Sequence, residues 1–240
     1  MTKQRLDILM TTLGLTSSRS QSESWIKLGK VTVDGKVQSK PGFFVNENAL
    51  IKLNTKEQYV SRAGLKLASV AQVLGLDFNN TIVLDIGSST GGFTDYALQH
   101  GAKKVYAVDV GTDQLHPSLH GNAQIELHEK TDIRDFHLSA AKPDIIVMDV
   151  SFISLREILP HVAQNLVGKN TQIAAMLKPQ FEAGRDQTNR GVIKNNSVRR
   201  QILRDFEQWA TQYFSIINKR DSEVSGAKGN QERFYLLRKK

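Results

Sequence analysis

Asp149 and Lys178 each stand directly after an apolar run, IIVM and IAAML respectively, and Pro179 follows the lysine. Ionisable groups at the ends of apolar strands are costly to bury unless paired. If the two strands are neighbours, aspartate and lysine meet above them. Two chemistries fit: a plain structural ion pair, or a lysine held by an aspartate for proton transfer. Lys66 and Glu232 are candidates to join them.

A second constellation begins at Asp85, which closes the apolar run TIVLD and opens the turn Gly87-Ser88-Ser89-Thr90-Gly91-Gly92-Phe93. Glycines let a backbone approach a ligand closely. A pyrophosphate loop prefers the G-x-G-x-x-G spacing, which is absent here. A carboxylate at its base would repel phosphate but suits the cationic amino-acid end of S-adenosylmethionine. The alternative is a tight strand-to-helix turn without a ligand. Asp109 lies 24 residues beyond Asp85 at the end of the next strand, a position suited to ribose hydroxyls. Asp132 follows the third strand and is placed for an adenine amino group. Each acid alone also reads as a solvated strand end. With Asp149 they line the edge where open α/β sheets bind ligands.

The elements that must position these residues alternate. Strands are predicted at 81–87, 103–110, 124–129, 144–150 and 172–177, with helices at 64–76, 93–100, 154–166 and 196–213. Such alternation gives a mostly parallel sheet covered on both faces. SIINKRDSEV and ERFYLLRK have no helix between them, so the sheet ends in an antiparallel C-terminal hairpin. The fold class is α/β, a Rossmann-like methyltransferase sheet preceded by a small α+β domain. In that first domain, residues 5–14 carry a helical apolar spacing. Ser20 and Glu23 suggest a capping box for a second helix. Asp34-Gly35 marks a hairpin, and residues 43–53 read as a further strand. The boundaries fall at 1–58 and 59–240, with a linker region at 54–62.

The chain has 240 residues, 40% of them apolar, and a formal net charge of +8. Residues 1–58 hold nine Lys/Arg against five Asp/Glu. A basic balance points to a polyanionic partner. The absence of cysteine excludes disulfides and thiolate metal sites. The first 21 residues do not form a signal peptide, and no apolar stretch reaches the ~20 residues of a membrane span. A cytoplasmic protein is expected.

These residues resemble the TlyA family of RNA 2′-O-methyltransferases, historically also labelled hemolysins. RLDILMTTLGLTSSRSQSESWIKLGKVTVDGKV is similar to the RNA-binding domain named for ribosomal protein S-four. VSRAGLKL, LDIGSSTGGFT, MDVSFISL, LKPQFE and SGAKGNQERF follow the FtsJ-like pattern in order. The resemblance implies a catalytic tetrad at Lys66, Asp149, Lys178 and Glu232. Lys178 is then the candidate base, oriented by Asp149, with Lys66 stabilising the developing alkoxide and Glu232 positioning Lys66 or the ribose. It implies S-adenosylmethionine as cofactor, S-adenosylhomocysteine as product and no metal. It places the cofactor on Asp85, Gly87, Ser88, Ser89, Gly91, Gly92, Phe93, Asp109, Asp132 and Asp149. The expected partner is RNA, ribosomal RNA or ribosomal subunits, with neither a membrane nor an obligate protein partner. Arg5, Arg19, Lys27, Lys30, Arg62, Arg185 and Arg190 are the candidate RNA contacts, each also readable as a solvated cation. Two other classes remain in view: a non-catalytic RNA-binding or ribosome-assembly factor, and a membrane-lytic protein.

Overall fold

The computed structural model describes residues 3–16, 18–54, 59–138, 141–184, 188, 191–226 and 228–240. The N-terminal unit runs β1 (Lys3–Arg5), α1 (Leu6–Thr12), α2 (Arg19–Lys27), β2 (Val31–Val33), β3 (Lys36–Val37), β4 (Phe44–Asn46) and β5 (Ile51–Leu53). β2 and β3 turn through Asp34 and Gly35, whose φ angles are 49° and 80°, as a type I′ hairpin requires. The stretch 43–53 forms two strands, not one. β4 pairs with β1 and β5 with β2, both antiparallel. The second helix begins earlier than the Ser20–Glu23 pattern predicts. Ser18 is its cap, extended at φ −154° and accepting a hydrogen bond from the Gln21 amide at 3.3 Å.

The remaining elements are α3 (Arg62–Leu74), β6 (Ile82–Ile86), α4 (Gly92–Gln99), β7 (Lys104–Val108), β8 (Ile125–His128), β9 (Ile145–Met148), α5 (Leu155–His161), β10 (Gln172–Leu177), α6 (Pro179–Glu182), α7 (Asn196–Ala210), β11 (Phe214–Asp221) and β12 (Arg233–Lys239). α5 runs on into a π-helical turn at Val162–Leu166. The seven-stranded sheet has the order β11-β12-β10-β9-β6-β7-β8. β12 is antiparallel to β10 and β11, and the other pairings are parallel. The C-terminal hairpin is therefore as predicted.

Strand residues alternate between two cores. Val83, Val147, Ala174, Met176, Phe234 and Leu236 face the α3 and α4 side, together with Leu65, Val70 and Phe93. Leu84, Ile146, Met148, Ala175, Leu177, Tyr235 and Leu237 face α5 and α7. Burial on both faces explains the nearly continuous apolar runs. The first core continues into the N-terminal unit through Leu6, Met10, Trp25 and Ile26. At the junction, the Gln21 side-chain amide donates to the Tyr59 carbonyl at 3.1 Å, and Tyr59 is buried against Tyr96 with ring centroids 5.4 Å apart. None of the described helices is long and apolar enough to cross a membrane.

Candidate active site

The strand period decides which side chains can meet. Asp85 has the parity of Val83, Asp149 that of Val147, Lys178 that of Met176, and Glu232 that of Phe234. Continued past the strand ends, this puts all four on the face covered by α3, the helix that carries Lys66. The contacts agree. Lys178 Nζ lies 2.6 Å from Asp149 Oδ1, and Lys66 Nζ lies 2.6 Å from Glu232 Oε2. Both contacts are ion pairs, and neither carboxylate oxygen has a hydrogen-bond partner among the described residues. Lys178 does donate a hydrogen bond, to Ser151 Oγ at 2.6 Å. Lys66, Lys178 and Glu232 are buried. Gly226 lets its loop lie against the glutamate, since a Cβ there would sit 2.7 Å from Glu232 Oε1.

β6 and β9 meet at the point where the strand order reverses, the usual ligand crevice of open α/β sheets. Two cavities open there. The larger, about 430 Å³, is lined by Asp109, Val110, Asp132, Ile133, Val150 and Phe152 among others. The smaller, about 130 Å³, is lined by Ala63, Asp85, Ser88, Thr90, Phe93 and Lys178. Gly87, Ser89, Asp149 and Ser151 belong to both, so the cavities join beside them. Gly87 adopts φ 79°, and a Cβ on it would approach the Asp149 carbonyl oxygen to 2.9 Å. Only glycine fits where those strand ends touch.

Asp85 is fully buried. Its Oδ2 accepts a hydrogen bond from the Thr94 hydroxyl at 2.7 Å, while Oδ1 has no hydrogen-bond partner among the described residues. Burial pushes its carboxyl up to about 7, with the Thr94 hydrogen bond acting against the rise and the nearby charge of Asp149 adding to it. Ser88 Oγ is likewise buried and unpartnered. An anion and a hydroxyl left unsatisfied in a small polar cavity suit a ligand that brings a cation and further polar groups. The amino-acid end of S-adenosylmethionine has that composition, and the larger cavity, within the usual size range of ligand pockets, suits its nucleoside.

Asp109 and Asp132 both line the larger cavity, and each already has partners. Asp109 accepts from the backbone amides of Ser89 at 2.8 Å and Gly111 at 2.7 Å, fastening the glycine-rich turn to β7. Asp132 is paired with Arg134 at 2.6 Å, which holds its carboxyl below the usual range. Gly91 and Gly92 open α4, and Phe93 is buried with its ring centroid 6.0 Å from that of Phe234.

The cations of the N-terminal unit divide. Arg5 and Arg19 both pair with the buried Asp7 at 2.8 Å. Lys27 and Lys30 are exposed. Arg62 donates to the Ser225 carbonyl at 2.5 Å, tying α3 to the loop before β12. Arg185 and Arg190 lie outside the described residues.

Four contributors carried no assigned role in the sequence. Thr94 is the hydroxyl partner of Asp85, and Ser151 that of Lys178. Glu182 accepts from Ser154 Oγ at 2.6 Å and the Leu155 amide at 2.7 Å, joining the loop after Asp149 to the segment after Lys178. Burial raises its carboxyl above the usual range. Buried Asn230 accepts from the Ile193 amide at 3.0 Å and donates to the Gly191 carbonyl at 2.8 Å. Ser151, Glu182 and Asn230 sit inside MDVSFISL, LKPQFE and GNQE, so motif membership was the available signal.

Residues 59–240 match the family model of FtsJ-like methyltransferases. The chain belongs to the FtsJ-like methyltransferase family. Residues 4–51 match the S4 domain. Among curated proteins, the chain is 37% identical over 233 residues to Hemolysin A of Brachyspira hyodysenteriae, covering 95% of this chain and 97% of that one. It is 42% identical over 182 residues to the 23S rRNA (cytidine-2′-O)-methyltransferase TlyA of Campylobacter jejuni, covering 75% of this chain and 70% of that one. Among solved structures, a hemolysin-named protein from Streptococcus thermophilus aligns with a TM-score of 0.73 and 39% identity, covering all of this chain and 89% of that one. The resemblance to the TlyA family therefore holds along the chain, and the FtsJ-like region is the part that carries the paired lysines and both cavities.

Proposed function

We propose that this FtsJ-like enzyme transfers a methyl group from S-adenosylmethionine to a ribose 2′-hydroxyl of ribosomal RNA, acting in the cytoplasm without a metal. One observation carries the reading. Lys178 is buried between Asp149 and Ser151 on the wall of the cavity that holds the unpartnered oxygen of Asp85. A proton acceptor and a cation-seeking carboxylate thus share one small space.

Asp85 and Ser88 would hold the amino-acid end of the cofactor, and Asp109 and Asp132 would face its nucleoside. When bound, the cofactor supplies an electrophilic methyl group, whose bond to sulfur breaks with the electron pair going to sulfur as S-adenosylhomocysteine forms. The residues of the chain align and deprotonate the nucleophile. Orientation alone removes roughly 7–11 kcal/mol from such a barrier. Lys178 takes the hydroxyl proton on Nζ, and Asp149 stabilises the resulting ammonium. Lys66, anchored by Glu232, stabilises negative charge developing on the ribose oxygen. The S4 domain supplies selection, because a 2′-hydroxyl occurs on every ribonucleotide and the site chemistry cannot choose among them. Lys27 and Lys30, which are exposed, would contact the RNA backbone, and the curated TlyA relatives are named for ribosomal RNA.

Mapping 2′-O-methylation in ribosomal RNA from cells with and without this gene tests the assignment. A site that disappears with the gene is expected. An unchanged ribose map, with methyl groups lost from bases instead, overturns it.

A further inference from the structure

We infer that Ser151 is a positioning residue of the transfer, setting the direction in which Lys178 meets its substrate. The inference rests on the reading of Lys178 as the proton acceptor. An ammonium has three N–H directions. In this structure Ser151 takes one of them, and Asp149 holds the ammonium by charge. Asp149 Oδ1 and Ser151 Oγ each lie 2.6 Å from Nζ, the first as an ion pair and the second as a hydrogen bond. Asp149 and Ser151 come from the same short segment after β9, two residues apart, so they hold the lysine from one side.

When Nζ is neutral it carries two hydrogens and one lone pair. With one hydrogen fixed on Ser151 Oγ, the charge of Asp149 draws the other to its own side, and the lone pair is left the direction away from both. The ribose proton then arrives there, and the product ammonium has all three N–H groups assigned. Without the Ser151 acceptor, one hydrogen is released and the lone pair rotates among competing directions. Electrostatic pairing to Asp149 survives, but the aim is lost.

The location supports this role. Ser151 lines both cavities, at their junction, where a methyl donor spanning them would present its reactive centre. Its backbone is held firmly on the C-terminal side. Ser154 and Leu155 are hydrogen-bonded to Glu182 at 2.6 and 2.7 Å, and Glu182 lies four residues beyond Lys178. The ring of Phe152 lies 5.2 Å from that of Phe181 across the same seam. The serine and the lysine are thus carried by two segments locked together at three further points.

The test uses the full chain, ribosomal subunits lacking the modification, and S-adenosylmethionine. Ser151→Ala should lower the single-turnover rate roughly 10-fold to 100-fold, the effect of one hydrogen bond to a charged group. Cofactor affinity by calorimetry should stay within about 2-fold, because the contact made is to lysine. Ser151→Thr, which keeps the hydroxyl, should restore most of the rate. In a Lys178→Ala background, Ser151→Ala should cost nothing further, since the two act as one unit. A cofactor-free readout accompanies these. Trace acylation of Lys178 with acetic anhydride, followed by mass spectrometry, should change between wild type and Ser151→Ala while other lysines do not. A wild-type rate in Ser151→Ala overturns the inference, as does the same loss of rate in the Lys178→Ala background or a matching loss of cofactor affinity. If Lys178→Ala itself methylates normally, the reading of the lysine fails instead, and the two failures are distinct.

Discussion

Thr94 donates a 2.7 Å hydrogen bond to one carboxylate oxygen of Asp85, and the other oxygen is buried with no hydrogen-bond partner among the described residues. The glycine-rich turn thus ends against a half-satisfied acid whose carboxyl burial has pushed up to about 7 from 3.8. The sign follows from the protons. Between these values the folded chain holds a proton that the unfolded chain has released, so this group lowers stability as pH rises from about 4 to about 7. A cationic ligand reverses that by favouring the ionised acid. S-adenosylmethionine binding should tighten as pH rises from about 6 to about 8, with proton release visible in calorimetry across buffers of different ionisation enthalpy. Asp85→Asn should bind weakly and lose the proton release. Affinity independent of pH in the wild-type chain contradicts this account of the acid.

Asp109 does two jobs, because its oxygens hold the amides of Ser89 and Gly111 while facing the larger cavity. Asp109→Ala should weaken cofactor binding at least 10-fold, from hydrogen bonds to a charged group worth ~1.5–3 kcal/mol. Calorimetry at fixed pH checks it. An unchanged dissociation constant removes Asp109 from the cofactor site.

Asn230 holds Gly191 and Ile193 against the loop that carries Glu232. Asn230→Ala should cost about 2 kcal/mol by leaving those groups unpaired, a fall in melting temperature of roughly 4–8 °C. Methyl transfer should fall beyond the loss of folded protein, since Glu232 and its partner Lys66 are displaced. Full activity per folded molecule would show that the loop does not support the site.

Lys27→Glu combined with Lys30→Glu should reduce affinity for ribosomal RNA, flatten its dependence on salt and leave cofactor binding unchanged, as expected for phosphate contacts. Filter binding across a salt series measures both slope and affinity. An unaltered slope would move the RNA interface away from the end of α2.

Much of this site was legible because buried parallel strands advertise their ends. Asp85, Asp109, Asp149 and Lys178 each interrupt an apolar run, and the parity of those runs places all four on one face. The partners were less visible. Thr94, Ser151, Glu182 and Asn230 are ordinary polar residues in turns and helices; Thr94 meets Asp85 across the glycine-rich turn, and the roles of the other three arise from contacts between segments far apart in sequence. In the N-terminal unit, the apolar period found the first helix and the Ser20–Glu23 pattern the second, but the cap is Ser18, where the backbone is extended. β1 is three residues long and shows no alternation long enough to detect, and β4 and β5, equally short, read as one stretch.

The central claim is that Lys178 accepts the proton of a ribose hydroxyl. Single-turnover methylation of ribosomal subunits by wild type, Lys178→Ala and Lys178→Arg, with cofactor affinity measured on the same preparations, tests it most directly. The products are read as alkali-resistant 2′-O-methylnucleotides. Both variants should bind S-adenosylmethionine nearly as wild type does, while their rates fall roughly 10²–10⁴-fold. Arginine should not rescue, because a guanidinium keeps its proton. A Lys178→Arg chain that forms 2′-O-methylnucleotides at the wild-type rate would contradict the account.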